Sequence, residues 1–209
     1  MVRLAIAGAT VPQIATFTGH SLKDVEAIIM ESGVRAGEVI DRTRALVKKA
    51  SPRKDRVDVN EAILEVLALV RAEIAKHAVS AKTQLAEGLP PVRGDRVQLQ
   101  QVMLNLFINA IEAMSGMAER PRELLISTEA THPDAVLIAV RDSGPGIPRE
   151  SAERIFESFY TTKPGGLGME LSICHSIIEA HEGRLCATAN LPHGALFQFT
   201  LPAFSSGGG

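Results

Sequence analysis

The sequence predicts an α/β fold, a two-layer sandwich in which helices are layered on a mixed sheet. Three segments after residue 57 repeat apolar residues at helical spacing, and the segments between them alternate apolar and polar residues as strands do. From residue 58 the order is helix, strand, helix, strands, helix, strands. A chain of 209 residues can hold one such domain together with appendages.

The three helices of this domain follow from periodicity and from end signals. The first covers residues 58–79, with Asp58 or Asn60 as a plausible N-cap. The second is "GDRVQLQQVMLNLFINAIEAMSG", a long helix closed by Gly116, and the third is "LSICHSIIEAHEG". The first helix carries its apolar residues at Ile63, Val66, Leu67, Val70 and Ile74.

The predicted strands lie between and after these helices. "VSAKTQL" alternates apolar and polar residues like a strand, and the strands "ELLISTEA" and "AVLIAVRD" follow the long helix. The last segment, "GRLCATANLPHGALFQFTLP", is typical of two strands joined by a turn at Pro192 to Gly194.

The part of the chain before residue 58 differs from the domain. "TVPQIATFTGHSLKDVEAII" predicts two short helices, and "ESGVRAGEVIDRTRALVKKASPRKDR" predicts an amphipathic helix that Pro52 ends. We therefore expect an N-terminal helical appendage. The closing "SSGGG" predicts a flexible tail.

Composition narrows the classes of partner. The net charge is −2, so no basic surplus favours a nucleic-acid partner, and we do not expect DNA as a ligand. The two cysteines, Cys174 and Cys186, form no metal or disulfide pattern and fit a reducing compartment. No uninterrupted apolar run approaches the roughly 20 residues of a membrane span, and the N-terminus lacks the features of a signal peptide. We expect a cytoplasmic location and no membrane segment.

Asn105 and Asn109 stand four residues apart on the long helix and therefore face the same way. Two amides on a mostly apolar helix need partners. One interpretation is a pair of buried Asn side chains that bond to backbone. The other is an amide oxygen that faces a hard cation such as Mg²⁺, which in turn holds phosphates.

Asp142 ends a predicted strand and is followed by "SGPGI". An Asx turn after a strand explains this pattern without any ligand. Alternatively, the carboxylate accepts a hydrogen bond from an exocyclic amine, and the glycines let the backbone approach a base. Further on, "TTKPGGLGM" places Gly165, Gly166 and Gly168 before a helix N-terminus, where backbone N–H groups attract phosphate. That segment is either such a phosphate site or simply a mobile loop.

Four segments taken together resemble the ATP-binding domain of sensor histidine kinases, the Bergerat-fold family shared with gyrase, MutL and the heat-shock chaperone ATPases. "LQQVMLNLFINAIEAM" is similar to the N box of that family and "RDSGPGIP" to its first glycine box. "IFESFYTTK" resembles the phenylalanine box and "GGLGMELSI" the second glycine box. All four occur in the family's order, and the resemblance covers roughly residues 58–203.

The resemblance implies a role for each matching residue. Asn109 would hold Mg²⁺ with Asn105 nearby, and Asp142 would bind the adenine amine. Gly144, Gly146 and Ile147 would border the base. A lid from Thr161 to Gly168 would cover the phosphates, and within it Lys163 would act with the two asparagines in catalysis. The lid residues implied in cofactor binding are Thr161, Thr162, Lys163, Gly166, Leu167 and Gly168.

One position separates the branches of that superfamily. Its ATPases carry a Glu four residues before the metal-binding Asn, as the general base for water. Here that position is Asn105, and an amide cannot take a proton at neutral pH. The resemblance therefore implies a kinase that transfers the γ-phosphoryl group of ATP to a histidine.

The sequence shows no acceptor histidine for that reaction. Residues 31–57 resemble the second helix of the dimerisation hairpin that usually carries it, so the acceptor would lie on a dimerisation domain in trans, with a response regulator downstream. His181 followed by Glu182 has the right dipeptide, but we interpret it as a coincidence at the surface. The resemblance thus divides the chain into 31–57, the ATP-binding domain 58–203 and the tail 204–209.

Residues 1–30 resemble the C-terminal part of a phage-type tyrosine recombinase. "TGHSLKDVEAI" surrounds a histidine, His20, at the place of that family's late active-site His. The family's nucleophilic tyrosine has no counterpart, because the only tyrosine, Tyr160, is in the lid implied by the kinase resemblance. A recombinase without a nucleophile cannot cleave DNA.

Two residues depart from the kinase pattern. The second glycine box runs Gly-x-Gly-x-Gly, but here Glu170 takes the third place. A carboxylate there competes with the ATP anion, so the alternative function is a degenerate nucleotide-binding or regulatory module with impaired catalysis. Glu182 replaces a glycine that the family favours before Gly183, and this is a lesser departure.

Overall fold

The elements follow the predicted order and begin with a short strand. The computed structural model describes residues 55–117, 120–131, 134–148, 151, 154–161, 168–190 and 192–204, all of which lie in the unit Pro52–Gly209. In chain order the elements are β1 (Asp55–Val57), α1 (Val59–Leu69), α2 (Arg71–Lys76), β2 (Ser80–Leu85), β3 (Val92–Gly94), α3 (Arg96–Met114), β4 (Glu123–Thr131), β5 (Ala135–Asp142), α4 (Glu170–Ala180), β6 (Arg184–Ala189) and β7 (Ala195–Pro202), with a 3₁₀ turn at Arg154–Phe156 before α4.

Five strands form a mixed sheet in the order β2–β4–β5–β7–β6. β2 runs parallel to β4, and the other neighbours are antiparallel. A parallel pair needs a crossover, and α3 lies in the chain between β2 and β4. This sheet with packed helices confirms the predicted α/β sandwich.

One face of the sheet carries the core. On β5 the residues Val136, Ile138 and Val140 are fully buried and alternate with more exposed neighbours. β7 repeats the pattern with Phe197, Phe199 and Leu201. Since alternate side chains of a strand point to opposite faces, these residues point to the same side of the sheet, toward the buried sides of α1, α3 and α4.

The predicted first helix is two helices. Asp58 caps α1 as predicted, because its side chain accepts a hydrogen bond from the Glu61 N–H (3.0 Å). The break falls at Val70, whose φ of −90° and ψ of 4° leave the helical region. Asn60 is not a cap. It bonds through its side chain to Ala86 O (2.9 Å) and Thr128 Oγ1 (2.9 Å), which ties α1 to the sheet.

A two-stranded antiparallel ribbon of β1 and β3 was not predicted. Each strand has three residues, too few to show a period of two. The ribbon also places Asp55–Val57 in this unit, whereas the predicted ATP-binding domain begins at residue 58.

The end of α3 differs in detail from the prediction. Its C-cap is Ser115, which stays in the right-handed region with φ −61°. Gly116 is not among the glycines with positive φ, so it does not close the helix as a left-handed cap. At the other end Asp95 caps α3 by accepting from the N–H groups of Val97 and Gln98.

Helices α3 and α4 are antiparallel neighbours, as two contacts show. Asp95 at the start of α3 donates its N–H to His181 Nε2 after the end of α4 (2.9 Å). Midway along both helices, Asn105 Nδ2 donates to Cys174 Sγ (3.6 Å). The start of one helix therefore lies beside the end of the other, and the middles meet.

The prediction that His181 lies at the surface is wrong. The side chain is 2% exposed. Its Nε2 accepts from Asp95 N–H, so its Nδ1 carries the proton and donates to Ile177 O (2.7 Å). Both ring nitrogens are therefore engaged in holding α3 against α4, which leaves neither open to accept a phosphoryl group in the folded protein.

Glu182, the lesser departure, has a φ of 60°, in the left-handed region that favours glycine. It follows the end of α4, the position at which many helices end with glycine. The backbone of this chain thus keeps the glycine geometry with a glutamate in place.

We expect Glu182→Gly to raise the free energy of unfolding by about 0.5–1 kcal/mol, because the substitution relieves left-handed strain. Urea unfolding followed by circular dichroism measures it. Ala180→Gly is the matched control, since Ala180 is helical and its replacement should lower stability by about 0.5–1 kcal/mol. Destabilisation by both variants would contradict the strain argument.

The predicted helices before residue 52, the recombinase-like fragment 1–30 with His20 and the tail at 205–209 lie outside the described residues. Within the part of the chain that the structure describes, no helix combines the length and the apolar character needed to cross a bilayer.

Candidate functional site

A cavity of about 170 Å³ opens where the end of β5, the C-terminal half of α3 and the first turn of α4 meet. It brings together six of the predicted site residues: Asn109, Asp142, Gly146, Ile147, Thr161 and Gly168. The other lining residues are Ala110, Ala113, Ile155, Tyr160, Glu170, Leu171, Ala195 and Phe197.

Asp142 lies at the base of this cavity because of its place on β5. It continues the core-facing series of Val136, Ile138 and Val140, so the strand ends with a carboxylate on its buried face. The side chain is 3% exposed. Its Oδ1 accepts two hydrogen bonds, from Gly144 N–H (2.8 Å) and Ala195 N–H (3.1 Å).

Those two bonds fix the carboxylate and leave its second oxygen for a ligand. Among the described residues, the hydrogen bonds to this carboxylate fall on Oδ1 alone, and the side chain lines the cavity. Burial raises the pKa of Asp142 above its ordinary value, and the two backbone donors partly oppose that rise. An ionised Asp142 is an acceptor only, and it suits a donor such as an amine.

The turn between β6 and β7 holds Asp142 from the other side, and sequence reasoning missed this role. Asn190 Nδ2 donates to the backbone oxygen of Asp142 (3.1 Å), and Asn190 N–H donates to Gly194 O (2.8 Å). Gly194 has a φ of 104°, and a Cβ at this position would overlap the Asp142 carbonyl oxygen. The predicted turn at Pro192 to Gly194 therefore also supports the site.

The predicted glycines are needed for close packing. A Cβ on Gly144 would lie 2.8 Å from Asp142 Oδ1, so a side chain would disturb the bond that Gly144 N–H makes. Gly146, with φ 89°, lines the cavity, and a Cβ there would lie 2.9 Å from Gly194 O. Ile147 supplies an apolar wall to the same cavity.

The two asparagines of α3 have different surroundings. Asn109 lines the cavity. Asn105 is not among the lining residues, and its amide donates to the buried Cys174 Sγ (3.6 Å). Burial raises the pKa of Cys174 to about 12, so this sulfur stays a neutral thiol at physiological pH.

Of the predicted lid, the structure describes the two ends. Thr161 and Gly168 both line the cavity, and Phe159 N–H donates to Gly168 O (2.8 Å). Gly168 has a φ of 64°, and a Cβ there would lie 2.6 Å from Tyr160 O. Thr162, Lys163, Gly166 and Leu167 lie outside the described residues, so their predicted roles stay predictions.

Tyr160 also lines the cavity; the sequence placed it in the lid but predicted no binding role for it. Its hydroxyl donates to Ser151 Oγ (2.9 Å), and the Arg154 guanidinium lies 4.7 Å from its ring centroid. A charge over an aromatic face holds the ring in place. These contacts fix one wall of the cavity beside Thr161.

Glu170 is the first residue of α4, and it lines the cavity. Its charge also acts on Cys174, one turn further along the helix, where it favours the neutral thiol. A carboxylate is stabilised at a helix N-terminus by the helix dipole. The departure from the glycine pattern thus places a negative charge in the wall of the cavity.

The described residues around the cavity differ from a metal centre built from protein side chains alone. Within residues that the structure describes, no group of three or more His, Cys, Asp and Glu side chains is placed to hold a metal ion. A site based on the Asn109 amide oxygen fits Mg²⁺ that arrives with phosphate oxygens, since Mg²⁺ takes few protein ligands in such sites.

Comparison with known proteins gives a family match. The sequence profile of the family described as histidine kinase-, DNA gyrase B- and HSP90-like ATPase matches residues 94–205. Sensor protein TdiS of Thauera aromatica is 39% identical over 169 residues, which cover 80% of this chain and 31% of TdiS. The chain therefore spans about a third of the length of that relative.

Solved structures agree with this match. The catalytic domain of the histidine kinase ThkA superposes with a TM-score of 0.64 at 34% identity, covering 72% of this chain and 95% of the domain. ThkA in complex with the response regulator protein TrrA gives a TM-score of 0.71 at 31% identity, covering 88% of this chain and 52% of that one.

Proposed function

The chain belongs to the family of histidine kinase-, DNA gyrase B- and HSP90-like ATPases, and on that premise we propose that residues 58–203 form the ATP-binding catalytic domain of a two-component sensor histidine kinase. The observation that carries the proposal is the fixed carboxylate of Asp142 at the base of a cavity that Asn109 also lines. The adenine base of ATP needs a hydrogen-bond acceptor, which Asp142 supplies. The metal-bound phosphate chain needs a metal ligand, which Asn109 supplies.

The residues of the cavity fit ATP with Mg²⁺. Asp142 Oδ2 would accept a hydrogen bond from the adenine amine, and Gly146 and Ile147 would border the base. Asn109 would hold Mg²⁺ through its amide oxygen. When bound, Mg²⁺ neutralises charge on the phosphates. Thr161 and Gly168 would flank the phosphates, with Thr162, Lys163, Gly166 and Leu167 between them.

The surroundings of Asn105 favour transfer to a protein over hydrolysis. Its side chain is an amide that cannot accept a proton at neutral pH, and it faces Cys174, which is also neutral. Neither group activates a water molecule. We propose that a histidine ring nitrogen attacks the γ-phosphorus, so that an N–P bond forms while the bond to the β-phosphate oxygen breaks and ADP leaves.

The acceptor and the downstream partner are part of the same proposal. The histidine would be carried by a dimerisation domain in trans, because both nitrogens of His181 are engaged in the fold. A response regulator would receive the phosphoryl group, and the ThkA–TrrA complex supports that kind of partner. The cytoplasmic location, the recombinase-like fragment 1–30 and the expectation that DNA is not a ligand remain sequence predictions.

Calorimetric titration with a non-hydrolysable ATP analogue and Mg²⁺ tests the proposal first. We expect micromolar binding to the full chain. Incubation with γ-labelled ATP and the dimerisation domain of a related kinase should then give an acid-labile, base-stable label on its histidine. Tight binding with neither label transfer nor hydrolysis would instead support the second candidate, a nucleotide-binding regulatory module.

That second candidate has one observation in its favour. Glu170 places a carboxylate in the cavity wall, at the first turn of α4, where a phosphate chain would approach. Without a cation beside it, a negative charge at this place weakens the binding of ATP. Nucleotide binding by the wild-type chain and by Glu170→Gly, with and without Mg²⁺, separates a weakened site from one that uses this charge.

A further inference from the structure

The antiparallel packing of α3 and α4 sets which residues lie opposite each other. Asp95 meets His181 at one end of the pair, and Asn105 meets Cys174 in the middle. One turn further along α3 is Asn109, and one turn back along α4 is Glu170. Because residues four apart lie on the same helix face, this register places Asn109 opposite Glu170.

The cavity agrees with that register, since Asn109 and Glu170 both line it. An amide oxygen and a carboxylate are the oxygen ligands that Mg²⁺ prefers, and it binds through one or two such groups together with phosphate oxygens and waters. Resting on the function proposed above, we propose that Glu170 joins Asn109 as a second protein ligand of the Mg²⁺ that accompanies ATP.

This arrangement accounts for a carboxylate where the family pattern has glycine. Without a cation, one negative charge about 5 Å from a phosphate, at an effective dielectric of about 20, weakens binding by roughly a hundredfold. With Mg²⁺ between them the same charge attracts the complex. Glu170 therefore weakens the binding of the metal-free nucleotide and strengthens the binding of the metal-bound nucleotide.

The measurable consequence is a stronger coupling between metal and nucleotide. If Glu170 binds the metal, Mg²⁺ raises the affinity for nucleotide in the wild-type chain by a larger factor than in a chain without the carboxylate. Coupling of two ligands is reciprocal, so the nucleotide must raise the affinity for the metal by the same factor.

The experiment compares the full chain with Glu170→Gly and Glu170→Gln. Calorimetry measures the affinity for a non-hydrolysable ATP analogue with Mg²⁺ and with EDTA. We expect the ratio of the two affinities to fall at least about tenfold in both variants, because metal-free binding improves and metal-bound binding does not. Glu179→Gln, a carboxylate exposed near the other end of α4, is the matched control and should keep the wild-type ratio.

A second readout detects the ligand itself. Mn²⁺ replaces Mg²⁺ in the complex with the analogue, and line broadening by ¹⁷O-labelled water in electron paramagnetic resonance counts its bound waters. We expect one water fewer in the wild-type chain than in Glu170→Gly. Circular dichroism confirms that each variant is folded.

Three results would overturn the inference. An equal affinity ratio in all chains would show that Glu170 does not act on the metal. A changed ratio with an unchanged water count would show that it acts only by repulsion. Binding by Glu170→Gly alone would show that the carboxylate silences the site, although the proposed nucleotide site itself would stand. Absence of binding in every chain would instead refute the proposed function.

Discussion

Asp142→Asn is expected to lower the affinity of the chain for the ATP analogue by roughly 10²–10⁴-fold while leaving the fold intact. The amide oxygen introduced by this substitution can still accept from Gly144 N–H and Ala195 N–H, which now bond to Oδ1. The amide nitrogen then replaces Oδ2 and would face the adenine amine of the proposed ligand. Two donors face each other in a buried place, and neither is satisfied.

The same substitution should invert the preference for the base. Inosine triphosphate carries a carbonyl oxygen where ATP carries the amine, so it repels the carboxylate of Asp142 but accepts from an amide nitrogen. We expect the wild-type chain to prefer the ATP analogue and Asp142→Asn to prefer the inosine analogue. Calorimetry with both ligands and both chains gives the four affinities.

The control for this prediction is stability. Urea unfolding of Asp142→Asn should differ little from wild type, because burial already disfavours the ionised carboxylate and raises its pKa. Equal losses of both ligands, with reduced stability, would mean that Asp142 supports the fold and does not read the base.

The strands and helices of the main sheet were predictable because each is long enough to show its period. Residues 123–131 and 135–142 alternate over eight or nine positions, and one face of each is buried. The ribbon of β1 and β3 was not predictable, because three residues carry no period. The break at Val70 also has no local marker, since no glycine or proline stands there.

The candidate site was predictable as far as its residues are close in sequence. Asp142 and its glycines form one short motif, and the structure places Asp142, Gly146 and Ile147 in one cavity. The donors that come from the β6–β7 turn could not be predicted, because Asn190 and Ala195 lie about 50 residues away and bond through a side-chain amide and a backbone N–H. The amino-acid sequence of a turn does not indicate which distant backbone atom the turn will contact.

Glu170 is a residue that the sequence identified but whose neighbours in the fold it could not predict. Its place in the glycine motif identified it as a departure, and a charge beside phosphate predicted repulsion. Only the contacts between Asp95 and His181 and between Asn105 and Cys174 show that it lies opposite Asn109. A carboxylate opposite a predicted metal ligand has a different chemical meaning from a carboxylate beside a phosphate.

Gly194→Ala is expected to lower the free energy of unfolding by about 3 kcal/mol or more. The glycine has a φ of 104°, and a Cβ there would overlap the carbonyl oxygen of Asp142 and lie 3.1 Å from Ser143 Cα. The contacting atoms belong to the backbone, which cannot rotate away, so the end of β5 or the β6–β7 turn must move. That movement shifts Ala195 N–H away from Asp142 Oδ1, and nucleotide affinity should fall together with stability.

Gly88→Ala separates the two causes of this loss. Gly88 also has a positive φ, 67°, but nothing lies within 4 Å of a Cβ at that position. The substitution therefore adds backbone strain without an overlap, and it should cost only about 1 kcal/mol and leave nucleotide affinity unchanged. Urea unfolding and calorimetry on the two variants give both quantities. If the two glycine variants lost equal stability, the contact of Gly194 with Asp142 would contribute nothing, and the β6–β7 turn would not be what holds the carboxylate in place.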